Sequence, residues 1–217
     1  PFLPELHDLL IHNNVEGMRN NLAITPANAN NASVSYEGMQ FSKYRKADNK
    51  TMPLLFDVIN NCIAGVCSLE MLDVVLDAKA DMYAPFNGTP PLYFLLDYIA
   101  ITPKEFCSTQ EMILEKLIDH HIDVKIKFRD KPAPLSYLMH RNREYVGHYS
   151  ERYISDNVLK ILIDAGADVN SYDSEGNNLL TYVAETKNNE ISDYLFSKGI
   201  NVKSSEKSDT DPVYQAI

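Results

Sequence analysis

The chain contains no tryptophan, only three cysteines and only eight glycines among its 217 residues. The glycines are dispersed, which excludes a glycine-rich loop that could cradle a phosphate group. The cysteines (Cys62, Cys67 and Cys107) are odd in number and lack the spacing of a zinc site or a redox motif. The sequence therefore predicts free, buried thiols and a reducing, cytoplasmic location, with a signal peptide removed upstream as the alternative.

Positive charge is also scarce, with 20 Lys and Arg against 30 Asp and Glu and a net charge of −10. Nucleic-acid binders need basic stripes, so this balance argues against a nucleic-acid partner. A partner steered by charge would be basic, although the acidity could serve only solubility. The longest apolar run, 92–101, contains Asp97 and is far shorter than the roughly 20 residues of a membrane span. The sequence thus predicts no membrane contact.

The chain contains histidines and cysteines that could bind a metal or act in catalysis, but their spacing matches no metal-binding or catalytic motif. Adjacent histidines at a helix end point in different directions, and no cysteine or carboxylate stands at ligand spacing from the four candidates: His120, His121, His140 and His148. A catalytic thiol needs a histidine and an orienting group, and nothing in the sequence indicates these near the insertions 60–68 and 102–109 that hold the cysteines. We predict no catalytic residue, no cofactor and no metal.

A repeating pattern runs along nearly the whole chain. Helix-start motifs, mostly with proline, read P-E-L-H at 4–7, T-M-P-L at 51–54, T-P-P-L at 89–92, P-A-P-L at 132–135, N-N-L-L at 177–180 and T-D-P-V at 210–213. Proline suits a first helical position, where its missing N–H has no intrahelical partner. Turn motifs with an acidic or amide residue lie at 26–30, 79–83, 121–125, 166–170 and 199–203.

The spacing between these motifs shows where the repeats differ. Ten residues before each turn landmark stands an apolar residue that should open the core face of a second helix: Met18, Met71, Ile113, Val158 and Ile191. From turn to next start the distances are 26, 11, 12, 12 and 12, and from start to second helix they are 12, 17, 21, 23 and 11. Variation confined to connections is typical of stacked units, because loops tolerate added length at small entropic cost.

A period near 33 with a turn followed by two helices resembles the ankyrin repeat. The specific match is G-A-D-V-N at 166–170, followed by Gly176 and Leu180, and T-P-P-L at 89–92 and Leu6-His7 support it. The family's histidine after the leucine occurs only in the first repeat. Pro26, Lys79 and His121 replace the helix-ending glycine, and a non-glycine residue at positive φ costs about 1 kcal/mol, so those repeats should be less regular.

The resemblance implies an all-α solenoid of helix-turn-helix units with short β-hairpin fingers, forming one domain over 1–217. The repeats would cover 4–30, 51–83, 88–125, 131–170 and 176–203, with a partial repeat at 209–217 and long interhelical insertions in repeats two to four. A solenoid needs a polar cap at each end. We therefore expect the natural chain to continue beyond Ile217, unless a short helix closes the stack.

The resemblance also implies function: a non-enzymatic module that holds a protein partner on the concave face and fingertips, and acts as a monomer. Carried over by position, the partner-binding residues are Tyr172, Ser174, Glu175 and Asn177 in the fourth finger, Lys127, Arg129 and Pro132 in the third, and Phe86 and Asn87 in the second. Tyr172 and Phe86 stand where solvent is expected, as binding anchors do. Alternatively, each ring packs on a neighbouring finger.

A long first finger, 31–50, carries Tyr36, Phe41 and Tyr44 beside basic residues. Such an insertion could bind the partner or fold back to cap the first repeat. Bacterial members of the family include effectors delivered into host cells and inhibitors paired with toxins, and either role fits this chain. Two alternatives stay open: the targeting domain of a longer, enzymatic protein, and a hydrolase that uses one cysteine.

Overall fold

The computed structural model describes residues 3–35, 51–146, 154–173, 175–186 and 189–202. This part of the chain is mostly helical, which confirms the helical class. Its ten α-helices are α1 (Pro4–Ile11), α2 (Val15–Ile24), α3 (Leu54–Ile63), α4 (Leu69–Asp77), α5 (Pro91–Ile101), α6 (Ser108–Asp119), α7 (Pro134–Val146), α8 (Asp156–Asp164), α9 (Leu179–Thr186) and α10 (Asn189–Ser197). None of these described helices has the length and apolar character needed to cross a bilayer.

Proline begins the helices much as the motifs predict. Pro4, Pro91 and Pro134 are the first residues of α1, α5 and α7. Pro53 lies one position earlier, as the N-cap of α3, and it also ends a short strand. That strand, β2 (Thr51–Pro53), pairs antiparallel with β1 (Ala32–Ser35) and so closes the base of the long first finger.

The second helices share one core position and one kind of ending. The five apolar residues counted back from the turns are almost completely buried, as predicted: Met18, Met71, Ile113, Val158 and Ile191. The second residue after each of the helices α4, α6, α8 and α10 has a positive φ. These residues are Lys79 (63°), His121 (68°), Gly166 (99°) and Gly199 (81°). The left-handed residue lets its own N–H and that of the next residue bond to free carbonyls of the last helical turn, which ends the helix with these polar groups paired.

The ending of α8 shows the arrangement in detail. Gly166 N–H donates to the carbonyl of Ile163 and Ala167 N–H donates to that of Leu162, both at 2.9 Å. The same bond pattern follows α4, where Lys79 takes the positive φ in place of glycine, so this helix ending is regular although that repeat was expected to be less so. Pro26 departs from the pattern and starts a 3-10 helix, because its ring locks φ at a negative value.

The extra length in repeats two to four is only partly loop. The first helices of these repeats have 10, 11 and 13 residues against 8 in α1 and α9, so part of each insertion is added helix. The expectation that the variation falls in connections alone is therefore corrected. As a consequence, Cys62 lies in the last turn of α3 and not in a loop.

The chain divides into two compact units, one of Pro1–Leu95 with Ser108–Ile122 and the other of Leu96–Cys107 with Asp123–Ile217. In the first unit α1 contacts α3, α2 contacts α4 and α4 contacts α6. An ion pair of 2.7 Å between Lys116 and Asp73 joins α6 to α4. In the second unit Lys160 on α8 pairs with Glu190 on α10 at 3.1 Å. Within each unit, second helices therefore lie beside second helices. The single domain over 1–217 and the ankyrin solenoid remain predictions.

Candidate functional site

Finger 2 (84–90) is a tight hairpin with its aromatic side chain turned inward. Phe86 and Thr89 exchange two main-chain hydrogen bonds of 3.0 Å, and Asn87 and Gly88 between them have φ values of 50° and 76°. Asn-Gly is the favoured pair for such a turn, because both tip residues need a positive φ. Phe86 is only 8% exposed, and its ring centroid lies 5.7 Å from that of Phe56 on α3. The prediction of an exposed anchor at Phe86 is therefore wrong, since the ring completes the core.

Finger 3 (125–132) has a hairpin tip of the same length as that of finger 2, but its tip carries charged side chains. Lys131 N–H donates to the carbonyl of Phe128 at 2.9 Å across a bridge of the same kind. Arg129, at the tip, has a φ of 53°, and its guanidinium carbon lies 5.4 Å from the centroid of the Phe128 ring. Lys127 and Arg129 are both exposed, as predicted for residues that face a partner.

Finger 3 is also positively charged within an acidic chain. Residues 123–131 carry four cations and two carboxylates, a formal net charge of +2 against −10 for the whole chain. Lys125, Lys127 and Arg129 are exposed, and none of them forms an ion pair with a described residue. The fourth cation, Lys131, is half-buried, with its ammonium 4.9 Å from the centroid of the Tyr137 ring. The finger thus presents three cations to solvent.

Finger 4 (170–178) is held in shape by a buried carboxylate. One oxygen of Asp173 accepts hydrogen bonds from the N–H groups of Glu175 at 2.9 Å and Asn177 at 2.8 Å. The side-chain amide of Asn177 also donates to Asp173, so this predicted partner residue is buried and builds the loop. Tyr172 is 40% exposed beside it. The exposed Glu175 pairs with Arg143 on α7 at 3.2 Å.

Helix α7 contacts the bases of fingers 3 and 4. Arg141 Nε donates to Asp97 Oδ1 at 2.8 Å, and the hydroxyl of Tyr137 donates to the same oxygen at 3.0 Å. Tyr137 in turn lies under Lys131 of finger 3, while Arg143 reaches finger 4. These contacts, all within the second compact unit, fix the bases of the two fingers on a helix. Their tips can therefore meet a partner without first being ordered.

Four predicted partner-binding residues lie outside the described residues: Ser174, Tyr36, Phe41 and Tyr44. The binding and capping roles of 31–50 therefore both stay predictions. The partial repeat at 209–217 also lies outside the described residues. Asn87 is half-buried, and its Oδ1 has no hydrogen-bond partner among the described residues. The hairpin tip thus uses Asn87 mainly for its backbone conformation.

Histidines and carboxylates outside the fingers form isolated pairs in the described part of the chain. Among the described residues, no group of three or more His, Cys, Asp or Glu lies close enough to hold a metal ion. His120 stands 3.8 Å from Asp77, and the Nδ1 of His7 lies 2.7 Å from the buried carboxylate of Asp57. That hydrogen bond raises the pKa of His7.

Sequence reasoning missed several features of the fingers. The Asn-Gly pair at 87–88 was a direct hairpin signal, and the alternating cations at 125, 127, 129 and 131 marked finger 3 as a basic segment. Phe128 was also missed, although it stands at the same bridge position as Phe86 and Tyr172. Counts of turn dipeptides and of local charge would have found the first two.

No protein-family model matches the chain, and no curated protein matches its sequence. The fold is similar to a chain of the solved complex between the Bd0816 predatory endopeptidase of Bdellovibrio bacteriovorus and the immunity protein Bd3460. The similarity has a TM-score of 0.56 and covers 100% of this chain and 92% of that chain at 15% sequence identity. At this identity the similarity concerns the fold.

Proposed function

We propose that this protein is a non-enzymatic, ankyrin-type module that binds a protein partner through fingers 3 and 4. The observation that carries the proposal is the exposure of Tyr172 and of three cations, none of which pairs with a described carboxylate, on hairpins fixed to α7. Aromatic and arginine side chains on a preorganised surface are the usual anchors of protein interfaces. The repeated left-handed helix endings support the ankyrin part of the proposal.

The charge of finger 3 favours an acidic surface patch on the partner. The overall acidity of the chain predicts a basic partner, but the contact itself depends on local charge. Lys125, Lys127 and Arg129 are exposed on finger 3 and form no ion pair with a described residue, so no ion pair in the described part of the chain has to break before they meet a carboxylate. We therefore propose a partner that places Asp or Glu side chains against this finger.

The backbone of Arg129 gives a second argument for finger 3. A long side chain in the left-handed region is uncommon and costs about 1 kcal/mol or more. Arg129 nevertheless occupies that region, with a φ of 53°, at an exposed hairpin tip where glycine or asparagine would be unstrained. Such strain is often retained at binding sites, because the side chain contributes more to function than the backbone loses.

The solved complex supports a protein as the partner, because it joins an endopeptidase to an immunity protein. It also names a first class of partner to test, a bacterial endopeptidase. In that case the chain would act as an inhibitor, which is one of the two bacterial roles that the ankyrin resemblance implies.

A paired set of variants tests the binding surface. The finger variant combines Lys127→Glu with Tyr172→Ala, and the connection variant combines Lys104→Glu with Phe106→Ala. Both pairs change one exposed cation and one exposed aromatic of the second compact unit. We expect proteins captured by the wild-type chain to be lost with the finger variant and retained with the connection variant. The opposite result, or equal loss, would place the surface elsewhere.

Binding kinetics provide a finer test once a partner is identified. Exposed charges mainly change association rates, so Lys127→Glu should slow association and weaken its dependence on salt concentration. Tyr172→Ala should instead speed dissociation, because it removes buried contact area. Deletion of 31–50 examines the long first finger separately, and unchanged binding would assign that segment the capping role.

A further inference from the structure

Two cysteines that are five positions apart in sequence come into contact in the first compact unit. The sulfur atoms of Cys62 and Cys67 are 3.1 Å apart, and both side chains are buried. Cys62 lies in the last turn of α3, and Cys67 comes two residues before α4 begins at Leu69. The sequence spacing matches no common redox motif, which explains why the pair was not predicted.

The ending of α3 brings the two sulfurs together. Gly65 has a φ of 72°, its N–H donates to the carbonyl of Cys62 at 3.1 Å, and Val66 N–H donates to that of Asn61 at 2.9 Å. This left-handed ending reverses the chain within three residues. The reversal places Cys67 against the helix turn that holds Cys62. The contact therefore follows from the same helix-ending device that the second helices use.

We propose that Cys62 and Cys67 form a dithiol site that small disulfide oxidants, such as glutathione disulfide, convert to an intrachain disulfide. A disulfide bond is about 2.05 Å long, so the sulfurs need to approach by only about 1 Å. The segment between them is short, and Gly65 and the exposed Val66 within it can adjust. The proposal does not depend on the proposed binding function.

The exchange proceeds in two steps that balance. The thiolate of Cys67 attacks one sulfur of glutathione disulfide, which forms a mixed disulfide and releases one glutathione thiolate. The thiol of Cys62 then loses its proton and attacks the sulfur of Cys67, which releases the second glutathione. Overall, the two cysteines lose two hydrogen atoms and one glutathione disulfide becomes two glutathione molecules.

The electrostatics of the pair support this order. The hydrogen bond from the Cys62 thiol lowers the pKa of Cys67, whereas the same bond and burial raise the pKa of Cys62. Cys67 also lies next to the exposed Val66, at the surface end of the connection. Cys67 is therefore the attacking thiol and Cys62 the resolving thiol.

Cys107 provides a control within the same molecule. It is buried in the other compact unit, and its thiol donates to the carbonyl of Thr102 at 3.6 Å. Neither of the other two cysteines belongs to that unit. Oxidation of the proposed site should therefore leave one thiol of the three in the chain free.

The test incubates the folded chain with glutathione disulfide and then alkylates it with iodoacetamide in denaturant without a reductant. Intact mass should show one alkyl group per chain, and three after treatment with dithiothreitol. Peptide mapping should join the peptides that contain Cys62 and Cys67. Three alkyl groups without dithiothreitol, or a stable glutathione adduct on either residue, would overturn the proposal. This measurement needs no variant, so it does not depend on a mutant's folding.

Single variants then test the order of attack. Cys62→Ser should stop at a mixed disulfide between glutathione and Cys67, because the resolving thiol is missing. Cys67→Ser should leave Cys62 unmodified under the same conditions. The matched control Cys107→Ser should still form the disulfide and show no alkylation. Equal glutathione adducts in the first two variants would contradict Cys67 as the attacking thiol.

Discussion

Fingers 2 and 3 have hairpin tips of the same length but use them differently. Finger 2 reads F-N-G-T, combines an unstrained Asn-Gly turn with a buried Phe86, and presents no charge at its tip. Finger 3 reads F-R-D-K, holds Arg129 in a strained conformation and leaves three of its four cations exposed to solvent. The first arrangement serves stability, whereas the second keeps an exposed side chain at a cost in stability. Position in a repeat therefore does not by itself identify a binding residue.

The largest expected difference concerns the two phenylalanines. Phe86→Ala should lower the free energy of unfolding by about 3 kcal/mol, because it empties a core site next to Phe56. Phe128→Ala should cost less, about 1 kcal/mol, because that ring is only half-buried. Tyr172→Ala should stay within about 0.5 kcal/mol of wild type. Urea unfolding of the three variants measures the series, and equal losses at Phe86 and Tyr172 would remove the distinction between core and surface rings.

A second prediction extends the comparison to finger 4, whose loop is held by Asp173. Asp173→Ala should lower the free energy of unfolding by about 2 kcal/mol, because it leaves the buried N–H of Asn177 without an acceptor. Asp173→Asn should cost less, since its side-chain oxygen can still accept. Asp130→Ala, an exposed carboxylate at the tip of finger 3, is the matched control and should change stability by less than about 0.5 kcal/mol. Similar losses for Asp173→Ala and Asp130→Ala would argue against a structural role for Asp173.

The third prediction concerns backbone strain at the tips. Arg129→Gly should raise the free energy of unfolding by about 1 kcal/mol, because glycine adopts a φ of 53° without a Cβ penalty. The same variant should weaken partner binding, because it removes an exposed cation. Asn87→Gly in finger 2 should change stability much less, since asparagine tolerates this conformation. A destabilised Arg129→Gly variant would show that the guanidinium group stabilises the finger more than its backbone strain costs.

Much of the fold follows from local rules that a sequence displays. Proline at helix starts and the ten-residue count back from each turn located Met71, Val158 and the other buried positions of the second helices. The left-handed ending was predictable even at Lys79 and His121, because the helix pattern stopped there in register with Gly166. These features depend on neighbouring residues only, and so periodicity alone revealed them.

The direction of a finger side chain depends on contacts that are distant in sequence. Phe86 points inward because Phe56, thirty positions earlier, offers a ring to pack on. Asn177 is buried because its amide completes the hydrogen bonds of Asp173. The contact between Cys62 and Cys67 depends on a chain reversal whose geometry the spacing does not show. The sequence was therefore enough to locate each finger, but the structure was needed to show which finger side chains are exposed.

The smallest predicted effect is a pH dependence of the stability of the compact unit that contains finger 2. The Nδ1 of His7 lies 2.7 Å from the buried carboxylate of Asp57 in that unit, and this hydrogen bond raises the pKa of His7. Because folding raises this pKa, the protonated His7 stabilises the folded state fully below the ordinary histidine pKa of about 6.5. This stabilisation is lost as the pH rises through the pKa of His7 in the folded state. Because the His7 side chain is 35% exposed, solvent screening keeps the effect small.

Hydrogen exchange can read this effect at the fingers themselves. Protection of the Phe86 and Thr89 amides, corrected for intrinsic exchange, should exceed that in a His7→Gln variant at about pH 6, and the difference should shrink at about pH 8. The Lys131 amide of finger 3 belongs to the other compact unit and should show a smaller difference. His12→Gln is the control, because both His12 and its partner Asp8 are exposed. The protection of wild type and of His7→Gln could instead differ by the same amount at both pH values. The His7–Asp57 contact would then act as a neutral hydrogen bond, and the stability of finger 2 would not depend on the charge of His7.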